Sequence, residues 1–314
     1  MTGAAGFVGS RLVRRLLADG GSVVGIDSFD DYYARPAKER NLAEVRRNPN
    51  FRFVEQDLLS FDPSTVWEPG CRIFHLAAQP GVRGSWGTQF DRYLRNNVLV
   101  TQRLLEASIR ARPSRFVYAS SSSIYGEQPA GPTAETAIAN PVSPYGMTKL
   151  AGEHLARLYA RAYGLSTVSL RFFTVYGPGQ RPDMAFHRFI EAIRTGQAVT
   201  VYGDGHQTRD FTFVDDIVEG LVAAGGQEGV EGAFNLGGGT PAPLTEVLRI
   251  LGELAGHPIA TRFGEAPPGD PRATWADTRR ARELLHFQPR VSLAEGLRRQ
   301  WEWQTGADIS SARP

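Results

Sequence analysis

Three glycines spaced by three, Gly3, Gly6 and Gly9, run straight into a stretch with apolar residues at Leu12, Val13, Leu16 and Leu17, which ends at Gly20–Gly21. Apolar residues at that spacing share one face of a helix. Glycines ahead of a helix let backbone approach a bound group closely, and the helix start offers unpaired N–H groups and partial positive charge. The segment "TGAAGFVGSRLVRRLLADGG" therefore predicts a pyrophosphate-cradling loop and a helix. Such a loop follows the central strand of a doubly wound parallel sheet. Only Met1 and Thr2 stand before it here. Leaving that strand out would uncover two neighbouring strands and their ladder hydrogen bonds. We therefore expect the natural chain to begin ~4–10 residues earlier, about one strand length, with Met1 at a valine-like position.

The rest of the chain supports the same sheet. Strand candidates "SVVGID", "FRFVEQD", "RIFHLAA", "RFVYASS" and "TVSLRFF" alternate with helical periods such as Val98, Thr101, Leu104 and Leu105. That alternation predicts an α/β fold, a Rossmann-type doubly wound parallel sheet covered on both faces. After about residue 171 the rhythm breaks around "GPGQRP" and "EAPPGDP". We read residues 1–170 as a nucleotide-binding domain. Residues 171–314 read mainly as a smaller, partly interleaved α/β substrate lobe, with segments returning to the first domain.

Asp27 ends the strand after the glycine loop, where a carboxylate can hold the hydroxyls of an adenosine ribose. A carboxylate there repels a 2′-phosphate, so the cofactor expected is NAD rather than NADP. The competing reading makes Asp27 a turn residue ahead of "SFDDYY". With 314 residues and 41% hydrophobic content the chain can bury a sizeable core. A net charge of +2 creates no broad field for nucleic acid or a membrane surface. Cys71 is the single cysteine, which rules out an internal disulfide and suits a cytoplasmic setting. Of 35 basic residues only Lys38 and Lys149 are lysine, so a lysine inside a chemical motif carries weight.

In "SPYGMTKLAGEHL", Tyr145 and Lys149 stand four apart, on one helix face. Upstream, "YASSSSIYGE" closes a strand with four consecutive hydroxyls, at the sheet edge where ligands bind. A phenol beside an ammonium and an oxidised nicotinamide ring is expected to have a lowered pKa. It could take a proton from a sugar hydroxyl while hydride leaves the same carbon. Lys149 would also hold the nicotinamide ribose, and a serine would donate to the reacting oxygen.

With these residues in view, the chain resembles the extended short-chain dehydrogenase/reductases, above all the nucleotide-sugar epimerases. The matching pieces are "TGAAGFVGS", "HLAAQPGVR", "YASSSSIYG", "YGMTK", "RFFTVYGPGQRPDM", "RDFTFVDDIVEG" and "GDPRATWAD", nearly end to end. The resemblance implies that Phe7 and Val8 cover the pyrophosphate and that Asp57 and Leu58 flank the adenine. It places Ala77 and Ala78 along the cofactor cleft, Asn97 beneath it and Phe173 near the nicotinamide. The catalytic hydroxyl falls on Ser121. A homodimer through a four-helix contact that includes the Tyr145 helix is also implied.

The reaction and the sugar follow from the neighbours of Ser121. Dehydratases and decarboxylases of this family carry acids there, whereas Ser122 and Ser123 are neutral. That leaves oxidation at C4 to a keto sugar and re-reduction on the opposite face. Ser121, Ser122, Ser123 and Thr174 could ring a C6 carboxylate without protonating it, with Arg181 adding charge. Thr174 stands where glucose epimerases carry asparagine, so "RFFTVYGPGQRPDM" looks like the uronate epimerases. The favoured substrate is UDP-glucuronate, giving UDP-galacturonate. The same hydroxyls could instead bind a neutral CH2OH, as in a UDP-glucose or UDP-N-acetylglucosamine 4-epimerase. A third reading is a non-catalytic NAD-binding regulatory protein, which would need none of Ser121, Tyr145 and Lys149. Arg209 and Arg272 are the diphosphate candidates, since a guanidinium grips phosphate oxygens through a planar fork. In glucose epimerases a phosphate arginine stands where this chain has Pro267. His75, His154, His187 and His206 show no metal-ligand spacing, and no metal is expected. Trp301 and Trp303 read as core or subunit contacts.

Overall fold

The computed structural model describes residues 1–265 and 269–307, so Pro267 lies outside the described residues. Six strands form the main sheet: β1 (Val23–Asp27), β2 (Phe51–Glu55), β3 (Arg72–His75), β4 (Arg115–Ser121), β5 (Thr167–Phe172) and, after β6 (Thr174–Tyr176), β7 (Val199–Tyr202) and β8 (Thr208–Phe213), β9 (Gly232–Leu236). β1 and β2 pair in parallel, as do β3, β4, β5 and β9 in that order. Met1 and Thr2 occupy the place where a central strand was expected. Thr2 bridges in parallel to Ile26 of β1 on one side and to His75 of β3 on the other. It is the rung that joins the two halves.

Successive residues of β4 face opposite layers, as a pleated strand requires. Val117 joins a core with Leu12, Phe74, Leu170 and Leu221, whereas Phe116 and Tyr118 join one with Leu104, Leu105 and Ala156. Every residue of β4 is buried, the mark of a parallel strand covered on both faces. The helices follow the strands: α1 (Phe7–Ala18), α2 (Arg35–Leu42), the short α3 (Phe90–Tyr93), a π-helical turn over Leu94–Leu99, α4 (Val100–Ala111) and α5 (Pro144–Tyr163). Later come α6 (Ala185–Arg194), α7 (Val214–Gly226), α8 (Leu244–Ala255), α9 (Arg279–Leu285) and α10 (Leu293–Thr305). α4 packs beside α5 on one layer; α1 packs beside α7 on the other. No helix among the described residues is long and apolar enough to cross a membrane.

Beyond β5 the chain builds smaller sheets. β8 lies between β6, parallel to it, and the antiparallel β10 (Pro241–Pro243). β7 pairs with β11 (Thr261–Gly264). α7 and β9 return to the main sheet between these pieces. Trp301 is buried in the core shared by both regions, while Trp303 is half exposed with its edge toward His187.

Candidate active site

The glycine loop owes its shape to contacts that leave no room for a Cβ. Gly3 holds φ at +72°, and a Cβ there would lie 2.7 Å from the amide nitrogen of Ala77. A Cβ on Gly9 would stand 1.9 Å from the carbonyl oxygen of Gly3. The first turn of α1 is capped by Gly6 without any side-chain hydrogen bond and contains no acid. Its N–H groups are thus open to an anion.

This loop forms one wall of a cavity of about 260 Å³ along the carboxyl ends of the main-sheet strands. Gly3, Gly6, Phe7, Val8, Gly9, Asp27, Asp57, Leu58, Ala77, Ala78, Tyr145, Lys149 and Arg181, all singled out in the sequence, line it together. Asp27 accepts from the backbone N–H groups of Phe29 (2.9 Å) and Ala5 (3.1 Å). Burial raises its pKa, against those bonds and the charge of Lys38. Asn97 lies beneath the cavity rather than on its wall. The π-helical turn directs it inward, where it accepts from the Gln79 N–H (2.6 Å) and donates to the Gln79 carbonyl (3.0 Å) and to Thr148 (2.9 Å). Phe173 was expected beside the nicotinamide. Its side chain packs instead with Ile124, Tyr125 and Ala276, and its neighbour Phe172 faces the cavity.

α5 carries both Tyr145 and Lys149 to the cavity. Ser143 caps its start by accepting from the Gly146 N–H at 3.1 Å, Pro144 fits the first turn, and Gly164 ends it in a left-handed conformation. The buried face carries Gly146, Lys149, Gly152, Glu153 and Ala156. Lys149 donates to the Ala119 carbonyl at 2.8 Å. Burial pulls its ammonium down to about 7, opposed by Glu153. The Tyr145 phenol is pushed upward by burial, with the neighbouring Ser121 hydroxyl and the charge of Arg181 pulling the other way. The sequence had suggested a lowered phenol. In the protein alone, desolvation of the phenolate outweighs its neighbours. Tyr93 meets the Tyr145 ring edge-on at 6.3 Å between centroids.

Ser121 closes β4, accepting from the Ser123 N–H and donating to the Ser123 hydroxyl, both at 3.1 Å. Ser121 is buried and Ser122, Ser123 and Thr174 are partly exposed; none of the four lines the cofactor cavity, whereas Ser120 does. Arg181 lines it but is already held. Asp183 takes its guanidinium through two bonds of 2.9 and 3.0 Å, and Tyr32 donates to the same carboxylate at 3.1 Å. Arg209 and Arg272 stand apart from the cavity, beside the small sheet of β6, β8 and β10. Arg209 is mostly buried and pairs with Asp270 at 2.6 Å, while Arg272 is exposed and pairs with Asp204 at 3.1 Å. Arg83, which sequence reasoning passed over, joins them: it reaches Asp270 at 3.7 Å and stacks over the Tyr202 ring at 4.3 Å.

Lys38 was also missed, although lysine scarcity was the signal that could have found it. Both lysines of the chain line this one cavity. His75 is buried between Thr2 (2.8 Å) and Thr101 (3.0 Å), and burial with the nearby Lys149 charge drives it to about 3, a neutral ring. His154 contacts Arg157, and His187 contacts the Gln180 carbonyl. Among the described residues no three His, Cys, Asp or Glu side chains converge on a metal position.

These residues fit NAD. The open helix start and close-packed glycines suit a pyrophosphate, Asp27 a ribose diol, and the buried Tyr33 hydroxyl, without a protein partner, is a polar group on the cavity wall. Comparison with known proteins agrees. The model of the NAD dependent epimerase/dehydratase family matches residues 1–237. The Bacillus subtilis protein named uncharacterized UDP-glucose epimerase YtcB is 43% identical, over 95% of this chain and 94% of its own. A UDP-glucuronate 4-epimerase of Thermodesulfobacterium geofontis is 37% identical over 96% and 94%. The crystal structure of UDP-glucuronic acid 4-epimerase from Bacillus cereus, in complex with UDP-glucuronic acid and NAD, superposes with a TM-score of 0.93 at 41% identity, covering 97% of this chain and 98% of that one. With the glycine loop, Asp27, Tyr145 and Lys149 gathered on one cavity and matches running nearly end to end, this chain belongs to the NAD dependent epimerase/dehydratase family.

Proposed function

We propose that the chain interconverts UDP-glucuronate and UDP-galacturonate. At the coarser level it is an NAD-dependent UDP-sugar 4-epimerase, an isomerase. NAD, when bound, supplies the oxidation and re-reduction at C4 and is regenerated in each turnover. Gly3, Gly6, Gly9 and Asp27 would hold it, with Tyr33 and Lys38 on the same wall.

The chain's own groups move and hold protons. As the phenolate, Tyr145 takes the proton of the C4 hydroxyl, becoming the phenol, and returns it once the keto sugar has presented its other face. Ser121, in contact with that phenol, donates to the reacting oxygen. Lys149 places positive charge behind them. Arg209, Arg272 and Arg83 supply the basic cluster for the diphosphate, outside the cofactor cavity. A homodimer is part of the proposal, favoured by the exposed Met147, Leu158 and Tyr163 on α5.

The observation that carries the uronate assignment is Arg181, which lines the cavity close enough to influence Tyr145. The hydroxyls of Ser121, Ser122 and Ser123, at the end of β4 and outside that cavity, are assigned as further donors to the carboxylate. A second reading, UDP-glucose as substrate, is favoured by the Arg181–Asp183 pair, whose charges cancel and leave hydroxyls suited to CH2OH. Incubating the purified protein with each UDP-sugar and resolving the product by NMR of the sugar ring decides between them. UDP-galacturonate from UDP-glucuronate supports the first reading. Turnover of UDP-glucose alone refutes it, and a pentose product would mean decarboxylation. Arg181→Ala should raise the KM for UDP-glucuronate far more than that for UDP-glucose.

A further inference from the structure

Behind the reactive pair lies a buried polar network that the mechanism above does not use. Glu153 sits one turn beyond Lys149 on the buried face of α5 and is 8% exposed. Its carboxylate is gripped by Arg171 of β5, with Nε at 3.0 and 3.3 Å from its two oxygens and Nη2 at 2.8 Å from one of them. Ser120, the residue before Ser121, donates its hydroxyl to the same carboxylate. Arg171 is anchored further by the Tyr125 hydroxyl at 2.8 Å and the Glu135 carbonyl at 3.0 Å. Tyr125 in turn donates to Asn235 at 2.6 Å.

Burying a carboxylate and a guanidinium in this way stabilises a fold little, because desolvation offsets their attraction. The groups that face Lys149 are few. On its own helix they are Tyr145 and Glu153; from β3 comes His75, which burial holds neutral; from β4 comes the Tyr118 ring, 5.2 Å from Nζ. The amino group of Met1 reaches the same area from beyond His75, and Arg171 of β5 is spent on Glu153. Glu153 is thus the one anionic side chain among them.

We propose that Glu153 is a positioning residue for epimerisation: held by Arg171, it is the counter-charge that keeps Lys149 an ammonium and the clamp that orients the Ser120–Ser121 strand end. The inference rests on the roles assigned above to Tyr145 and Lys149, and it holds for any UDP-sugar the enzyme turns over. Without the carboxylate, Lys149 loses its proton at lower pH. A neutral Lys149 no longer favours the phenolate, so Tyr145 ionises at higher pH. Both limbs of the bell-shaped kcat profile then move inward.

The test is the pH profile of kcat and KM for NAD-loaded Glu153→Gln, measured with whichever UDP-sugar the wild type epimerises. The expected result is a bell narrower by about one pH unit, since one neighbouring charge shifts a pKa by roughly that much or more. At neutral pH, kcat should fall about tenfold with KM within about twofold, the pattern of a lost transition-state interaction. Glu153→Asp should restore the width. Should Glu153→Gln fail to fold with Arg171 left unpaired, the double variant Glu153→Gln/Arg171→Met removes both charges and must show the same narrowing. A profile of unchanged width in the folded variant overturns the inference. If Tyr145→Phe keeps wild-type kcat, the assigned catalytic pair falls and the inference with it; if Tyr145→Phe is inactive and the bell is unmoved, only the inference falls.

Discussion

Replacing Gly9 by alanine tests the cofactor loop through a single methyl group. The new Cβ would stand 1.9 Å from the carbonyl oxygen and 2.9 Å from the carbonyl carbon of Gly3. Real Cβ atoms essentially never approach closer than 3.0 Å, so loop and helix must separate by more than about 1 Å. The loop cannot absorb this freely. The Gly3 carbonyl also accepts the Gly6 N–H at 3.1 Å, and Gly3 itself lies against the backbone of Leu76 and Ala77. Forcing a methyl into such a contact costs about 1–3 kcal/mol. Loss of the Gly6 bond adds about 1 kcal/mol. The better helix propensity of alanine returns about 1 kcal/mol. A net destabilisation of about 1–3 kcal/mol should lower Tm by about 1.5–4.5 °C in a chain of 314 residues. The measurement is thermal unfolding of the NAD-free and NAD-loaded protein, with the NAD content of the purified variant. Binding should suffer more than folding if the displaced loop cradles the pyrophosphate as proposed. Gly226→Ala is the control: nothing lies within 4 Å of its Cβ position at the end of α7, so its Tm should stay level or rise. A wild-type Tm and full NAD content in Gly9→Ala would refute the close-packing account of the loop.

Tyr145→Phe should lower kcat by about 10²–10⁴-fold, the usual worth of a positioned acid–base, while the purified variant keeps its NAD; turnover assays with NAD quantification check this. Lys149 makes stability depend on pH in a defined direction. Its folded-state value of about 7 lies below the usual 10.5, so the unfolded chain binds more protons between those values. The destabilisation from burying it is full below about pH 7 and fades as pH rises toward 10.5. In denaturant titrations of NAD-free protein, Lys149→Met should therefore gain stability relative to wild type at pH 7 and lose that advantage by pH 10; a pH-independent difference contradicts the assignment. Asp27→Ser should relax the preference for NAD over NADP, read as the ratio of the two dissociation constants, because the carboxylate that would repel a 2′-phosphate is gone.

Much of this protein is written in short-range spacing. The glycine triplet, the four-residue step from Tyr145 to Lys149 and the strand–helix alternation each depend on residues within a turn or two of one another. Backbone sterics and helical periodicity settle such features locally, and the parallel sheet follows from them. Features that join distant segments needed the fold. Thr2 pairs with both Ile26 and His75, which no local rule could show. One step of alternation at the end of β5 turns Phe172 to the cavity and Phe173 to the core. Arg181 meets Asp183 two residues on, yet only packing brings Tyr32 to that carboxylate. Lys38 and Lys149, 111 positions apart, reach one cavity wall because the parallel crossovers gather strand ends on one edge. Spacing set which groups could react. Burial, which belongs to the folded chain alone, shifted them: it lowers Lys149 and raises Tyr145, and packing sets the Glu153 carboxylate beside them.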